Sequence, residues 1–250
     1  MGTNEPESES FLSHLFELRD RLLRAVIALV VVFLCLFPFA KSIYAFLAKP
    51  MLAQLPPGVQ MVALEVTSPF FIPVKVTFLA ALVIALPFIL YQIWAFVAPG
   101  LYAHEKRLVG PLVGASTVLF VCGMAFAYYL VFPLVFGVMK TFTPDGVSWM
   151  PDIAAYFNFV VNMFIAFGVT FEVPIVVVLM VKVGIVSIAK LREVRPYVIV
   201  GAFIIAAVVT PPDVLSQLML ALPLCLLYEA GIIVAAVISR PARAESEFQK

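Results

Sequence analysis

The chain has 250 residues, of which 64% are hydrophobic and only 12% charged, with a mean hydropathy of +1.10. A water-soluble domain has nearer half apolar residues and a quarter charged ones, so lipid rather than water is the expected solvent. The net charge of +1 carries no nucleic-acid signal, and no nucleotide loop, nucleophile elbow or metal-ligand cluster appears, so neither catalysis, a cofactor nor a nucleic-acid partner is expected.

Residues 1–24 begin acidic (Glu5, Glu7, Glu9) and do not read as a cleaved signal peptide, so the segment is expected to be a cytoplasmic N-terminal piece of the mature chain. In Phe11–Arg24, His14, Glu17, Arg21 and Arg24 recur at steps of three and four on one helix face. Leu12, Leu15, Phe16, Leu22 and Leu23 make the other side apolar. This predicts an amphipathic helix lying at the membrane interface. Glu17 and Arg21 have the spacing of an i,i+4 pair, which by itself accounts for both.

Six runs approach the roughly 20 apolar residues that a span needs: Ala25–Ala40, Val74–Ala98, Gly110–Phe132, Phe157–Val181, Tyr197–Thr210 and Val214–Ile238. The expected fold is all-α, a polytopic membrane protein with six transmembrane helices occupying residues 25–238 and a C-terminal tail over 239–250. Pro87, Pro174 and Pro223 fall inside spans, where neighbouring helices satisfy the freed carbonyls. The three cysteines, Cys35, Cys122 and Cys225, lie in apolar runs and are expected to be buried thiols. Gly110-x-x-x-Gly114 is at most a weak packing face.

Of the 16 basic residues, only Lys41, Lys49, Lys75 and Lys140 lie on the side opposite the N-terminus. The positive-inside rule therefore places both termini in the cytoplasm, in agreement with an even number of spans. The long proline-rich loop 41–73 (Pro50, Pro56, Pro57, Pro69, Pro73) and the loop 133–156 should form an external cap. The fifth span is short. Its 14 residues between Pro196 and Pro211 reach about 21 Å, against a core of roughly 30 Å. With the sixth it predicts a shallow hairpin. Asp213 is placed to N-cap the sixth span, and Glu229 within that span has no assigned role.

Two acids invite a functional reading. Glu105 stands near the start of the third span, where a carboxylate also complements the helix dipole. His104-Glu105 begins like a zinc-protease motif, but position 108 is leucine. Glu172 sits well inside the fourth span, two residues before Pro174. A carboxylate at that depth costs about 2.5–3.5 kcal/mol on insertion scales, so it should face protein or water, and Pro174 could open a polar recess beside it. A proton-coupled solute carrier with Glu172 as relay is one reading. An intramembrane hydrolase is another, and it lacks a nucleophile.

Several segments, in order over residues 11–232, resemble the TatC family, the receptor subunit of the twin-arginine protein translocase. They include His14-Leu-x-Glu17-Leu-Arg19-x-Arg21, Ser68-Pro-Phe-Phe71, Tyr91-Gln-Ile-Trp94-Ala-Phe96-Val-Ala-Pro99 and His104-Glu105-x-Arg107. Gly168-x-x-Phe-Glu172-x-Pro174, Arg195-Pro196-Tyr197 and Thr210-Pro-Pro-Asp213 complete the set. Asp20 sets an acid among the basic residues of the first motif, and Phe70 stands where some relatives carry a carboxylate. The resemblance implies a bacterial inner-membrane receptor for signal peptides with two adjacent arginines. It implies a peptide site at Glu17, Glu105, Phe96, Arg19 and His14, and an intramembrane polar site at Glu172. Structural or partner contacts are implied at Pro50 and Asp213. The implied partners are the single-span subunits TatB and TatA, the signal peptides of folded cargo, the bilayer, and further copies of the chain.

Overall fold

A computed structural model describes residues 5–56, 58–101, 109–144, 146–147, 149–210 and 213–247. The described residues are helical apart from short connections. α1 (Glu5–Leu36) passes through one 3₁₀ turn (Phe37–Phe39) into α2 (Ala40–Leu52). α3 (Ser68–Leu101) returns, and α4 (Val109–Phe126) leads through a π-helical turn (Ala127–Val131) into α5 (Phe132–Thr141). α6 (Ile153–Lys182), the short α7 (Ile188–Glu193), α8 (Arg195–Val209) and α9 (Val214–Glu247) complete the chain. Among the described residues five stretches are long and apolar enough to cross a membrane, and α8 is a shorter sixth. Its 15 residues span about 22 Å, as its flanking prolines require. Below, the face where α1 begins is the near face, and the opposite one is the far face.

The N-terminal segment runs without a break into the first span. No glycine or proline occurs between Glu7 and Phe37, and α1 runs unbroken until Pro38 ends it. The loop expected from residue 41 is also largely helical, because Lys41–Leu52 continue as α2.

Principal contacts run α1 to α3, α3 to α4, α4 to α6, α6 to α9, and α9 to α8, with α1 and α8 at the two ends of the row. Helices in lipid approach closely where a side chain is missing. A Cβ on Gly123 of α4 would strike the Phe167 carbonyl of α6, and one on Gly168 would strike the Phe120 ring. At Gly110 and Gly114, by contrast, a side chain would meet no described atom within 4 Å, so among the described residues they form no packing face. Gly231 brings α9 against α6, where its Cβ would lie 3.0 Å from the Pro174 Cα. The space beside Pro174 is therefore taken by a helix. Large apolar side chains such as Ile27, Leu34, Val118 and Leu226 point outward and more than half exposed, as lipid permits. Cys35 and Cys122 are likewise exposed rather than buried, and only Cys225 packs against the core. An apolar thiol loses nothing by facing lipid.

The far face is tied together by backbone. Val62 N donates to Pro151 O (3.0 Å) and Ile153 N to Val62 O (2.9 Å), so the segments after α2 and before α6 meet in one bridge. Asp152 N-caps α6 by accepting from Ala155 N (3.0 Å) and also accepts from Leu64 N (3.2 Å). These backbone donors, Ala155 first, hold its carboxyl below the ordinary aspartate range.

Candidate functional site

At the near-face end of α1, Arg21 donates through Nε and Nη2 to Glu17 Oε1 (2.9 and 2.6 Å). The pair is part-buried, and its i,i+4 spacing is the one read from sequence. Arg19 donates to Asp20 Oδ1 (2.9 Å) and lies over the Phe16 ring, 5.3 Å from its centroid. Asp20 thus neutralises the neighbouring guanidinium. Phe96 lies near the end of α3, half-buried. The antiparallel register of α1 and α3 is fixed by the edge contact of Phe33 with Phe78 (6.0 Å). Sixteen residues back from Phe33 is Glu17, and eighteen on from Phe78 is Phe96. At 1.5 Å per residue these are about 24 and 27 Å along their helices, so Glu17 and Phe96 lie at nearly the same depth. His104 and Glu105 lie outside the described residues. His14 is in α1, but its side chain lies outside the described ones.

Glu172 is half-buried on α6 with its Oε1 enclosed and unpartnered among the described residues. The hydroxyl of Ser116 on α4 lies near this carboxyl. Ser116 is fully buried and accepts from Trp94 Nε1 of α3 (3.2 Å). An indole N–H only donates, so the Ser116 proton is free to point at the carboxyl. Trp94, Ser116 and Glu172 thus lie side by side across three helices, with the Trp94–Ser116 hydrogen bond among them. Trp94 is two residues from Phe96, so the three lie near the helix end that carries the candidate peptide site. Sequence reasoning quoted Trp94 only as part of a family motif and did not mark Ser116. The available signal was an indole within an apolar span, whose N–H must find a partner.

Pro50 is buried inside α2. It cannot donate to the Phe46 carbonyl four residues earlier. Tyr128 supplies that hydrogen bond instead (2.8 Å), and Tyr156 donates to Leu47 O (2.6 Å). Asp213 caps α9, its Oδ1 accepting from Ser216 N (2.7 Å), as its position before the sixth span led one to expect. Glu229, unassigned from sequence, accepts from Arg195 Nη2 at 2.6 Å. Beside that ion pair, Tyr228 donates to Leu191 O (2.9 Å), joining α7 and α8 to α9. Among the described residues no group of three or more His, Cys, Asp or Glu could hold a metal ion.

The family model of TatC, the Sec-independent protein translocase protein, matches residues 13–223. A TatC protein of Halothiobacillus neapolitanus is 54% identical over 242 residues; these are 95% of this chain and 66% of that protein, so the chain spans just under two thirds of its length. Those of Haemophilus influenzae and Escherichia coli K12 are each 51% identical, over 93% and 90% of this chain and 91% and 88% of theirs. A crystal structure of a twin-arginine translocase receptor, TatC, superposes with a TM-score of 0.80 at 39% identity, covering 90% of this chain and 99% of that one. With its five long apolar helices, the chain is a multi-pass inner-membrane protein. It belongs to the TatC family and is a subunit of the Sec-independent protein translocase.

Proposed function

We propose that this chain is the signal-peptide receptor of a twin-arginine translocase, a transport component rather than an enzyme. The observation that carries the reading is the common depth of Glu17 and Phe96 at the near-face ends of α1 and α3. A guanidinium is planar, always charged and suited to carboxylates. Glu17, with Glu105 beyond α3, would receive the arginines of the peptide, and Phe96 would pack beside them. Arg19 and His14 flank the site. Because Arg21 already occupies Glu17, an incoming arginine exchanges with it or shares the carboxylate. Both termini lie in the cytoplasm. TatB and TatA, single-span subunits, would work with the receptor, which would assemble with TatB and with copies of itself to move folded proteins. Glu172 serves as a polar site toward partners or the inserted peptide, and Pro50 and Asp213 serve as structural or partner contacts.

The test is the affinity of a twin-arginine peptide for detergent-solubilised protein, with a twin-lysine peptide as control. Loss of one charge-assisted contact predicts a drop of roughly ten- to hundredfold for Glu105→Ala, and a similar drop for Glu17→Ala. A double change less than additive indicates one shared ligand. Equal affinities throughout would refute the receptor site.

A further inference from the structure

Between α2, α3 and α4 the apolar surface holds a groove of about 300 Å³. Ala80, Val83 and Ile84 of α3 form one wall, Val121 and Ala125 of α4 the other, and Phe46 of α2 stands at one end. The groove opens outward, for Ile84 is 58% exposed and Phe46 48%. It lies within three of the stretches apolar enough to span a membrane. Two features make it. Small residues at positions 80 and 125 leave the space, and the π-helical turn Ala127–Val131 shifts the register of the helix just beyond Ala125, carrying Tyr128 and Tyr129 to its rim. Such turns are frequent at functional sites. A hollow so apolar offers no partner for a polar ligand or for water.

One end carries a cation. Lys49 Nζ lies 5.6 Å from the centroid of the Phe46 ring. Lys49 is three residues further along α2, about 4.5 Å nearer the far face. Among the described residues no carboxylate pairs with it. The walls therefore run toward the middle of the membrane, while the ammonium stands at the headgroup end. An α-helix, about 10–12 Å across with its side chains, is too wide for this space, whereas a single hydrocarbon chain is not.

We propose that the groove binds one phospholipid with an anionic headgroup, its acyl chain along Ala80, Val83 and Ile84 and its phosphate at Lys49. The lipid comes from the far-face leaflet, the external one under the orientation proposed above. The site itself is independent of the signal-peptide reading. The bound chain adds to the contacts that Phe46 and Tyr128 already make between α2 and the helix beyond α4.

The test uses the full chain purified in detergent. Native mass spectrometry compares retention of phosphatidylglycerol and phosphatidylcholine with identical acyl chains. The wild type should retain one phosphatidylglycerol about fivefold better, the worth of one lysine near an anionic headgroup. Lys49→Gln should bring the two lipids level, and Ala80→Leu should lower both. Should Ala80→Leu fail to fold, phosphatidylglycerol carrying a photoreactive acyl chain decides on the wild type by labelling residues 80–84 and 121–125. Equal retention of both lipids by the wild type, a preference that survives Lys49→Gln, or label placed elsewhere would overturn the proposal. So would crosslinking in membranes from a cysteine at Ile84 to a second polypeptide instead of lipid.

Discussion

The hydroxyl of Tyr128, in the π-helical turn that follows α4, donates to the carbonyl of Phe46 in α2. That carbonyl is free only because Pro50, four residues on, has no N–H. In lipid no water would satisfy it. The Tyr128 and Phe46 rings also stack, 5.0 Å apart and 8° from parallel. Tyr128→Phe keeps the ring and removes the bond, and should cost about 1–3 kcal/mol of stability. Pro50→Ala restores a donor to Phe46, so Tyr128→Phe should be milder in that background. Thermal unfolding of the four proteins in one detergent measures this coupling. Additive effects would mean that the tyrosine does not substitute for the missing amide.

The approach of α4 to α6 leaves no room for a methyl group at two positions, Gly123 and Gly168. Gly123 is the stricter, since the obstacle is the Phe167 backbone, whereas at Gly168 the Phe120 ring can swing. Gly123→Ala should therefore destabilise more than Gly168→Ala, the latter by about 1–3 kcal/mol. Gly114→Ala, with open space around it, should be neutral or slightly stabilising. Folded yield and midpoint in detergent report the order, and a Gly114→Ala effect as large as that of Gly123→Ala would refute it.

Much of this fold was legible because a membrane allows few choices. Runs of about 20 apolar residues have to be helices, and the shortness of α8 followed from Pro196 and Pro211. The helical continuation of Lys41–Leu52 was missed because its polar ends and Pro50 read as a loop. Two of its carbonyls accept from Tyr128 and Tyr156, more than 80 residues away, which local pattern does not reveal. The site followed the same division. Asp213 as a cap and Glu17 with Arg21 are local relations and were read from spacing. The Trp94–Ser116 bond and the Arg195–Glu229 pair join distant segments and needed the fold.

Arg195 and Glu229 hold α8 to α9 at the near face. Both are about two-fifths exposed, so the pair is worth about 1 kcal/mol or less. Arg195→Glu sets two acids together and should loosen the hairpin, and adding Glu229→Arg should recover most of the loss. Protease protection of the segment around Leu191 and Tyr228 is the readout. Failure of the double reversal to recover would show that Arg195 acts elsewhere.

Asp152 fastens the far-face segments through Ala155 and Leu64. Its folded pKa is depressed by those backbone donors, so its contribution is complete above the ordinary aspartate range of about 4 and is lost as pH falls through the lower folded value. Asp152→Ala should cost about 1 kcal/mol as a lost N-cap and free the segment around Val62. Its deficit should shrink below about pH 4, where the wild type also loses the carboxylate. Unfolding midpoints at several pH values compare the two, and a deficit that grows on acidification would contradict this role.

The basic residues predict sidedness. Cysteines introduced at Gln60 and Val147, in a variant lacking the native three, should react in intact cells with an impermeant thiol reagent added outside. Cysteines at Ala103 and Glu193 should react only after the membrane is opened. The reverse pattern would invert the proposed orientation.

The side-by-side placement of Trp94, Ser116 and Glu172 sets the intramembrane carboxyl beside a serine that the sequence did not mark. Ser116 accepts from the indole, and its own proton is placed to reach the nearby carboxyl. Ser116→Ala removes the bond to the indole and the hydroxyl beside the carboxyl, so it should impair export more than Trp94→Phe, which strips only the indole donor. Ser116→Thr keeps the hydroxyl and should restore most activity. If the hydroxyl acts through the carboxyl, Ser116→Ala should add little to Glu172→Ala. Glu172→Gln tests the charge separately: it keeps the shape and a hydrogen-bond acceptor, and should impair export if ionisation matters, while Glu172→Asp is milder. The measurements are the rate of export of a twin-arginine cargo in cells and the unfolding midpoint of each purified variant. A drop in export at unchanged midpoint points to function, whereas parallel drops point to packing. Full additivity of Ser116→Ala with Glu172→Ala would separate the two residues and leave the serine with the Trp94–Ser116 bond alone.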